Sequence, residues 1–363
     1  MSDEGYELEY IHDAFNKNWI APLGENVNEF ERAVKNYTGA GSAVALASGT
    51  SAIHLALLEA GVGPGDTVFC QSVTFAASAN PIKYLGANVV FIDSERESWN
   101  MDPEALKKAF ELYGTPKAVE VVHLYGNPAR MDEICAICKE HNVPLIEDAA
   151  EALGSEYKGK KCGTFGDFGI ISFNGNKIIT TSGGGMLLCK NEENAKHVLK
   201  LATQARDVAP WYQHTEIGYN YRLSNISAGI GRGQMKVLDK RIRRKNEICD
   251  MFAKGFEGLP IKVAPCPKDC KSNRWLSTAM LDADCGVKPA DIISALRFAD
   301  IEARHAWKPL HLQPVYADSK FVSVEESPVA DDLFNRGLCL PSDTKMSDED
   351  VEHIISVVKG IFN

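Results

Sequence analysis

Three groups along the chain have residue types and spacing that could bind a phosphate-bearing cofactor. The first is Ala47-Ser-Gly-Thr-Ser51, which lies between an apolar run and a helical pattern. Gly49 permits a tight turn, after which the backbone N–H groups and hydroxyls of Thr50 and Ser51 can cradle a phosphate at a helix N-terminus. Taken alone, the motif favours a plainer interpretation, which is an ordinary Ser/Thr helix cap.

The second group is the acidic pair Glu147-Asp148, which directly follows the apolar run 143–146. In an open α/β sheet, ligands bind at the carboxyl ends of the strands, so an acid at this point can meet a ligand. An acid that caps a following helix explains the pair equally well.

The third group is Lys177, which follows Ser172-Phe-Asn-Gly-Asn and precedes the glycine-rich segment 180–185. A lysine there can attack a carbonyl carbon if its surroundings favour the neutral amine, although most lysines are simply surface residues. In this chain order, the cradle, the acid and the lysine are what pyridoxal phosphate requires. The cradle anchors the phosphate, Asp148 keeps the pyridine nitrogen protonated, and Lys177 bonds the aldehyde carbon and then moves protons.

Short apolar runs that alternate with helical patterns must position these groups. The runs are rich in β-branched residues and do not alternate with polar ones, which indicates a parallel sheet covered by helices on both faces. The predicted fold class is therefore α/β. The predicted strands cover 42–47, 67–70, 88–93, 118–123 and 143–146, and the predicted helices cover 50–60, 103–113 and 131–141.

The pattern changes after Gly169. Two further strands are predicted at 170–173 and 186–189, followed by one long helix or two joined helices over 224–256. The last helix, 347–361, begins with Ser347 and Asp350 at the spacing of a capping box. We expect a large domain at 20–245 and a smaller C-terminal α+β domain at 246–363, with residues 1–19 packing against the smaller one.

The composition excludes several classes of protein. The 363 residues are 45% apolar and 24% charged, as in ordinary globular proteins. The net charge of −10 argues against nucleic-acid and anionic-membrane partners. Ten cysteines without a compact knot, and an N-terminus without a signal-peptide pattern, predict a reduced, cytoplasmic protein. No metal site is predicted, because the pair Cys135 and Cys138 falls in an apolar helical pattern typical of core packing.

An ordered set of motifs over almost the whole chain resembles the DegT/DnrJ/EryC1/StrS family of sugar aminotransferases, within the fold-type-I aspartate aminotransferase superfamily. The resemblance implies a large domain with a mostly parallel, mixed sheet and a smaller C-terminal domain. The matching segments are 22–27, 30–31, 48–52, 147–154, 163–167, 172–177, 183–185, 218–222, 304–311 and 340–342.

The resemblance also implies which residues act on the cofactor, pyridoxal 5′-phosphate. Lys177 would bond to it covalently and Asp148 would pair with its pyridine nitrogen, and both would be catalytic. Phe75 would stack on the ring, unless it is a core residue. Asn220 would reach the phosphate from the other subunit, which implies a homodimer with shared active sites.

The phosphate site implied by the resemblance consists of Gly49, Thr50 and Ser51, aided by Ser172. Elsewhere on the cofactor, many relatives place Gln beside the 3′-oxygen, where this chain has Glu151. Some nucleotide-sugar members, such as perosamine-synthase-like sequences, share this Glu. A carboxylate there would repel the phenolate oxygen unless one of the two is protonated.

Lys177 also bears on which reaction the resemblance implies, transamination or dehydration. Related dehydratases carry His where this chain has Lys177, so the resemblance favours transamination. The implied reaction moves the amino group of L-glutamate to C4 of a nucleotide-linked 4-keto-6-deoxysugar, for surface glycan biosynthesis. A UDP-linked N-acetylhexosamine is slightly preferred, with GDP-4-keto-6-deoxymannose next. The alternatives are a pyridoxal phosphate-dependent sugar dehydratase and a non-catalytic regulator that binds the cofactor or a sugar.

Both substrates are anions and need cationic partners. Arg222, Lys308 and His311 are the candidates for the carboxylate of glutamate. The basic run 241–245 could bind the diphosphate of the sugar nucleotide, although a solvated helix face is the more frequent origin of such a run.

Overall fold

Residues 1–362 are described by the computed structural model, which contains twelve α-helices and fifteen strands. The helices are α1 (Tyr6–Asn16), α2 (Glu25–Thr38), α3 (Gly49–Glu59), α4 (Ala76–Tyr84), α5 (Pro103–Tyr113), α6 (Met131–Glu140), α7 (Glu192–Ala202), α8 (Asn225–Met235), α9 (Leu238–Gly255), α10 (Pro289–Phe298), α11 (Val329–Arg336) and α12 (Asp348–Lys359). The strands are β1 (Ser42–Leu46), β2 (Thr67–Gln71), β3 (Asn88–Ile92), β4 (Ala118–Val122), β5 (Leu145–Asp148), β6 (Glu156–Tyr157), β7 (Lys160–Lys161), β8 (Phe168–Ser172), β9 (Gly185–Cys189), β10 (Ile261–Val263), β11 (Cys270–Lys271), β12 (Ser277–Leu281), β13 (Arg304–His305), β14 (Lys320–Val322) and β15 (Gly337–Leu340).

Eight strands form the large sheet, in the order β1-β9-β8-β5-β4-β2-β3-β14. The pairings from β14 across to β8 are all parallel, whereas β9 is antiparallel to both of its neighbours. The predicted α/β class, with a mostly parallel mixed sheet, is confirmed.

Both faces of the central strands are covered, which explains their unbroken apolar sequences. In β2, Val68 and Cys70 pack into one core cluster, whereas Phe69 packs into a second cluster on the opposite face. Helix α3 contributes to the first cluster, and α5 and α6 contribute to the second. All five residues of β4 are buried, because this strand lies near the middle of the sheet.

A second sheet of four antiparallel strands, in the order β10-β12-β15-β13, forms in the C-terminal part of the chain. Its core joins residues of α9, α10 and α12. The C-terminal part is not confined to this sheet, since β14 returns to the large sheet and pairs with β3. Residues beyond the expected boundary at 246 therefore complete the large sheet.

The predicted helical segment 224–256 consists of two helices, α8 and α9. Glycines on α8 let its neighbours approach closely. A Cβ on Gly233 would lie 2.6 Å from the backbone nitrogen of Glu7 in α1, and one on Gly229 would lie 2.9 Å from the side chain of Asn26 in α2. Residues 1–19 were expected to pack with the smaller domain, whereas helix α1 packs against α8, which lies in the expected large domain. Asp3, before α1, lies 3.7 Å from Lys345 of the C-terminal part.

Local capping is as the sequence predicts at the C-terminal helix. Ser347 and Asp350 form the reciprocal capping box of α12.

Within residues 1–362, none of the helices combines the length and the apolar character needed to cross a bilayer.

Candidate active site

One large cavity, of about 840 Å³, opens beside the N-terminus of α3 and the carboxyl ends of β5 and β8. Seven of the residues predicted from the sequence line it together. They are Gly49, Thr50, Phe75, Asp148, Glu151, Ser172 and Lys177.

In the first turn of α3, the motif 47–51 both caps the helix and leaves backbone amides for an anion. Ser48 is the N-cap, and its hydroxyl accepts a hydrogen bond from the Ser51 N–H at 3.0 Å. In return, the Ser51 hydroxyl accepts from the Ser48 N–H at 3.0 Å and donates to the Ser48 carbonyl at 2.7 Å. Ser51 is thus occupied in the cap, and it does not line the cavity. The amides of Gly49 and Thr50 precede the first intrahelical hydrogen bond and are free to bind an anion.

Close packing around this turn depends on two glycines. A Cβ on Gly49 would lie 3.1 Å from the Cβ of Ser172, the last residue of β8. A Cβ on Gly185, the first residue of β9, would lie 2.3 Å from the carbonyl carbon of Ser48. The absence of a side chain at Gly185 therefore lets β9 pass close to the N-cap of α3. The corresponding feature of the sequence is the glycine run 183–185.

Asp148 ends β5 and is 5% exposed. Its Oδ2 accepts a hydrogen bond from the Ser78 hydroxyl at 2.7 Å, and its Oδ1 accepts one from the Ala150 N–H at 3.1 Å. Ser78 in turn lies 2.7 Å from the hydroxyl of Thr74. This chain fixes the carboxylate at the cavity. Ser78 had no signal in the sequence, because it lies 70 residues before its partner.

The neighbouring Glu147 faces away from the cavity, since adjacent residues of a strand point to opposite faces. It is fully buried, lies 2.9 Å from Nε2 of His123, and accepts hydrogen bonds from the backbone N–H groups of Gly163, Phe165 and Gly166. Of the acidic pair, only Asp148 can meet a ligand. Glu147 stabilises the loop that precedes β8.

Lys177 lies in the loop between β8 and β9, and its side chain is 12% exposed. Its Nζ is 3.5 Å from Oε1 of Glu151 and 4.1 Å from the ring centroid of Trp275. The indole N–H of Trp275 donates to the carbonyl of Asn176 at 2.8 Å, which holds the ring against the lysine loop. Trp275 was missed by the sequence analysis, because nothing in its local sequence links it to residue 177.

Glu151 is 4% exposed, and its Oε2 accepts a hydrogen bond from the Tyr125 N–H at 2.7 Å. Burial raises the pKa of Glu151 to about 7, against the opposing pull of Lys177. The carboxyl group is therefore divided between its neutral and ionised forms at neutral pH. The repulsion expected from a permanent carboxylate at this position is reduced accordingly.

Phe75 is not a core residue, since its side chain is 61% exposed at the cavity. Its ring centroid lies 5.6 Å from that of Trp307, which also lines the cavity. The backbone N–H of Trp307 donates to the hydroxyl of Tyr125 at 2.9 Å. An exposed aromatic ring that lines the cavity is available to stack on a planar ligand.

The structure does not bring the three candidate cations into the cavity. Arg222 is 7% exposed, and its Nη1 donates to Oε1 of Glu31 at 2.9 Å and to the carbonyl of Ala45 at 3.0 Å. His311 lies 2.7 Å from the Ser72 hydroxyl and 3.1 Å from a carboxylate oxygen of Asp331. Both are engaged in interactions that stabilise the fold.

Lys308 and Asn220 also lie outside this cavity. Lys308 is half-buried, whereas Asn220 is exposed on the segment that follows α7. The exposure of Asn220 fits a residue that meets another subunit rather than its own chain's cavity.

The basic run 241–245 is divided by the helical period of α9. Arg241 and Lys245, one turn apart, line the cavity. Arg243 is exposed, and Arg244 pairs with Asp348 at 2.8 Å. The interpretation of the run as a solvated face is therefore wrong for two of its cations.

Within residues 1–362, no three His, Cys, Asp or Glu side chains are grouped in a way that could hold a metal ion. Cys138 is buried in a core cluster of the large sheet, and Cys135 packs against the same cluster. The predicted core packing of this pair is confirmed.

The whole chain matches one family of sequences. Residues 2–359 match the profile of the DegT/DnrJ/EryC1/StrS aminotransferase family. A Bacillus subtilis (strain 168) protein that bears the name "Putative pyridoxal phosphate-dependent aminotransferase EpsN" is 51% identical over 365 residues, with 99% of this chain and 94% of that protein covered. The GDP-perosamine synthase of Escherichia coli O157:H7 is 36% identical over 363 residues, with 99% and 96% covered.

A solved structure has the same fold. The structure of a DegT DnrJ EryC1 StrS aminotransferase from Brucella abortus superimposes with a TM-score of 0.91 at 28% sequence identity. The match covers 99% of this chain and 96% of that one. The arrangement of the large and small sheets is therefore common to both proteins.

Proposed function

We propose that this chain, which belongs to the DegT/DnrJ/EryC1/StrS aminotransferase family, uses pyridoxal 5′-phosphate to transfer the amino group of L-glutamate to a nucleotide-linked keto-sugar. One observation carries the proposal. The first turn of α3, Asp148 and Lys177 meet at one cavity, although they come from three distant segments of the chain.

The residues at the cavity fit this cofactor. The amides of Gly49 and Thr50, with the Ser172 hydroxyl, supply donors for a phosphate group. Asp148, held by Ser78, supplies a fixed negative charge for a pyridinium nitrogen. When bound, pyridoxal phosphate supplies an electron sink for the negative charge that develops on a substrate carbon.

Lys177 is the group that moves protons in this proposal. Its Nζ is the amine at the cavity wall, and Glu151, 3.5 Å away, can hold or release a proton near neutral pH. The Trp275 ring covers the lysine and excludes water from one side of Nζ. Phe75 and Trp307 supply aromatic surface to the cavity, against which a planar group can stack.

The lysine also favours amino transfer over sugar dehydration. The related dehydratases that the motif resembles carry His at this position, and His cannot form the covalent bond to the cofactor. Lys177 at the cavity therefore supports amino transfer over dehydration, and the response of the bound cofactor to glutamate distinguishes an enzyme from a non-catalytic regulator.

The acceptor is a 4-keto-6-deoxysugar linked to a nucleotide, aminated at C4 for surface glycan biosynthesis. The local sequence 172–185 resembles members that use UDP-linked 4-keto-6-deoxy-N-acetylhexosamines or the GDP-linked equivalent, with the UDP-linked sugar slightly preferred. The relative named GDP-perosamine synthase supports the GDP-linked alternative, so both nucleotides are candidates.

The proposed active unit is a homodimer. The segment before Asn220 exposes large apolar side chains, which is unusual unless they are covered by a partner. They are Val208, Trp211, Tyr212 and Ile217, at 108%, 65%, 77% and 83% exposure. In this proposal the second copy covers the segment, and Asn220 has the role that the resemblance implies, which is to reach the phosphate site of the other subunit.

All ten cysteines are free, which is consistent with the reducing cytoplasm in which we place the reaction.

The test follows the visible absorbance of the purified holoprotein. We expect a yellow protein whose band bleaches with L-glutamate and returns with a UDP- or GDP-linked 4-keto-6-deoxysugar, with the aminated product identified by mass spectrometry. Borohydride reduction should fix the cofactor on Lys177, and Lys177→Ala should abolish both label and band. A band that responds to none of the amino donors, or a label on another residue, would contradict the proposal.

A further inference from the structure

We propose that Arg241 and Lys245 form an oxyanion subsite of the cavity, which binds a carboxylate or phosphate group of a substrate. The inference rests on the proposed function, because it assigns a ligand to the same cavity. The shared chemistry is a planar or tetrahedral oxyanion. Its two possible sources are the amino donor and the diphosphate of the sugar nucleotide.

Lys245 is a buried cation without a carboxylate partner. It is 7% exposed, and its Nζ donates to the carbonyls of Trp275 at 2.8 Å and Ser342 at 2.6 Å. An ammonium group has three N–H donors, so one remains for a ligand. Because isolated buried charges are costly, a buried lysine with only carbonyl partners indicates a site that an anion completes.

Arg241 lies one helical turn before Lys245 and is half-buried at the same cavity. Its Nη1 donates to the carbonyl of Ile178 at 3.2 Å, and within residues 1–362 no carboxylate oxygen lies within 4.0 Å of its guanidinium. A guanidinium presents five donors, of which a single one has this partner. The remaining donors suit bidentate binding of an oxyanion.

Both cations are tied to the lysine that we propose as the catalytic amine. Arg241 bonds to the carbonyl of Ile178, the residue after Lys177. Lys245 bonds to the carbonyl of Trp275, whose ring lies 4.1 Å from the Nζ of Lys177. An anion bound by Arg241 and Lys245 would therefore lie beside the two segments that carry Lys177 and Trp275.

The other charged residues in and near the cavity do not compete with Arg241 and Lys245 for an oxyanion. Arg304 is exposed and its Nε donates to its neighbour Glu302 at 2.9 Å. Asp343 is the acid that most favours the charged form of Lys245, although it does not come within 4.0 Å of it. Arg222, Lys308 and His311, the candidates from the sequence, lie outside the cavity.

Equilibrium binding to the holoprotein tests the proposal without turnover. Isothermal titration calorimetry would use glutarate, a dicarboxylate without an amino group, in one arm, and UDP and GDP in the other. We expect Arg241→Gln to weaken binding about tenfold to a hundredfold in one arm, as for loss of a charge-assisted hydrogen bond. Arg241→Lys should recover part of the affinity, and Arg243→Gln, the same charge change on the exposed face of α9, should have no effect.

The outcomes separate the two sources and the two proposals. Loss in the glutarate arm assigns the subsite to the donor, and loss in the nucleotide arm assigns it to the sugar nucleotide. Unchanged affinity in both arms for Arg241→Gln overturns the inference. Lys245→Met applies the same test to the second cation. If Lys245→Met does not fold, because Lys245 is buried, the result for Arg241→Gln alone decides the proposal. If glutamate fails to bleach the visible band while the variants still lose binding, the proposed reaction fails but the subsite stands.

Discussion

The Nζ of Lys177 lies 3.5 Å from Oε1 of Glu151 and 4.1 Å from the centroid of the Trp275 ring. The carboxyl group thus controls the charge next to the amine. Because the pKa of Glu151 is raised to about 7, that charge changes around neutral pH.

Replacement of Glu151 by Gln should change the pH dependence of the visible band. Above about pH 7 the wild-type carboxylate stabilises a positive charge on the nitrogen of Lys177, and Gln cannot do so. We expect the pH midpoint of the visible absorbance to fall by about one unit in Glu151→Gln. Glu302→Gln, at an exposed carboxylate of the same cavity, is the control, and an unchanged or raised midpoint in Glu151→Gln would refute this role.

Asp148→Asn should preserve the shape of the site but remove its fixed charge. We expect the rate at which glutamate bleaches the band to fall about a hundredfold or more, which is typical for loss of a preorganised electrostatic partner. Stopped-flow absorbance at saturating glutamate measures this rate. Ser78→Ala removes only the hydrogen bond that positions the carboxylate, so its loss should be about tenfold or less. Equal losses in the two variants would show that position, not charge, dominates.

Gly185→Ala should destabilise the protein and weaken cofactor binding. The added methyl group would lie 2.3 Å from both the carbonyl carbon and the oxygen of Ser48, so β9 or the cap of α3 must move. Overpacking of this kind costs about 1–3 kcal/mol. Thermal unfolding and cofactor titration of the apoprotein measure the two effects. Gly183→Ala is a matched control, because nothing lies within 4 Å of its added Cβ, and similar effects in both variants would rule out the clash.

Anion binding at Arg241 and Lys245 should weaken as the pH rises. Burial lowers the pKa of Lys245 to about 8, with Asp343 favouring the charged form and Arg241 opposing it. The charged form that binds anions therefore predominates below about pH 8 and is lost above it. We expect the affinity for the anion that calorimetry assigns to this subsite to fall above that point, with a slope that approaches about tenfold per pH unit. In Lys245→Met this dependence should vanish, and a pH-independent wild type would contradict the prediction.

The exposed apolar segment before Asn220 should hold two copies together. Trp211→Glu places a charge at the expected contact, so we expect a shift from dimer to monomer in light scattering after size-exclusion chromatography, with weaker cofactor retention. Phe298→Glu, at a side chain that is 97% exposed on α10, should leave the dimer intact. A Trp211→Glu protein that remains dimeric would place the interface elsewhere.

The sequence was most informative where function depends on short segments. The strand that ends at Asp148 and the glycine that begins α3 follow local rules, so their places at the cavity could be predicted. The partners of Arg222 could not, because Glu31 lies 191 residues away in the chain. Trp275 and Ser78 were missed for the same reason, since each acts through a tertiary contact that no local pattern announces.

The basic run of α9 shows a limit of another kind. Its composition suggested a single surface, but a helix turns by about 100° per residue, so neighbouring cations face different environments. Only the packing of α9 against the segments at 178, 275 and 342 decides that Arg241 and Lys245 face the cavity.

The pairing of β14 with β3 has a consequence for synthesis of the chain. During translation the large sheet lacks its edge strand β14 until residues 320–322 leave the ribosome. Until then β3 is an open edge whose backbone groups can recruit another nascent chain. Truncated versions that stop before Lys320 should therefore be prone to association even though every residue of the cofactor cradle is already made.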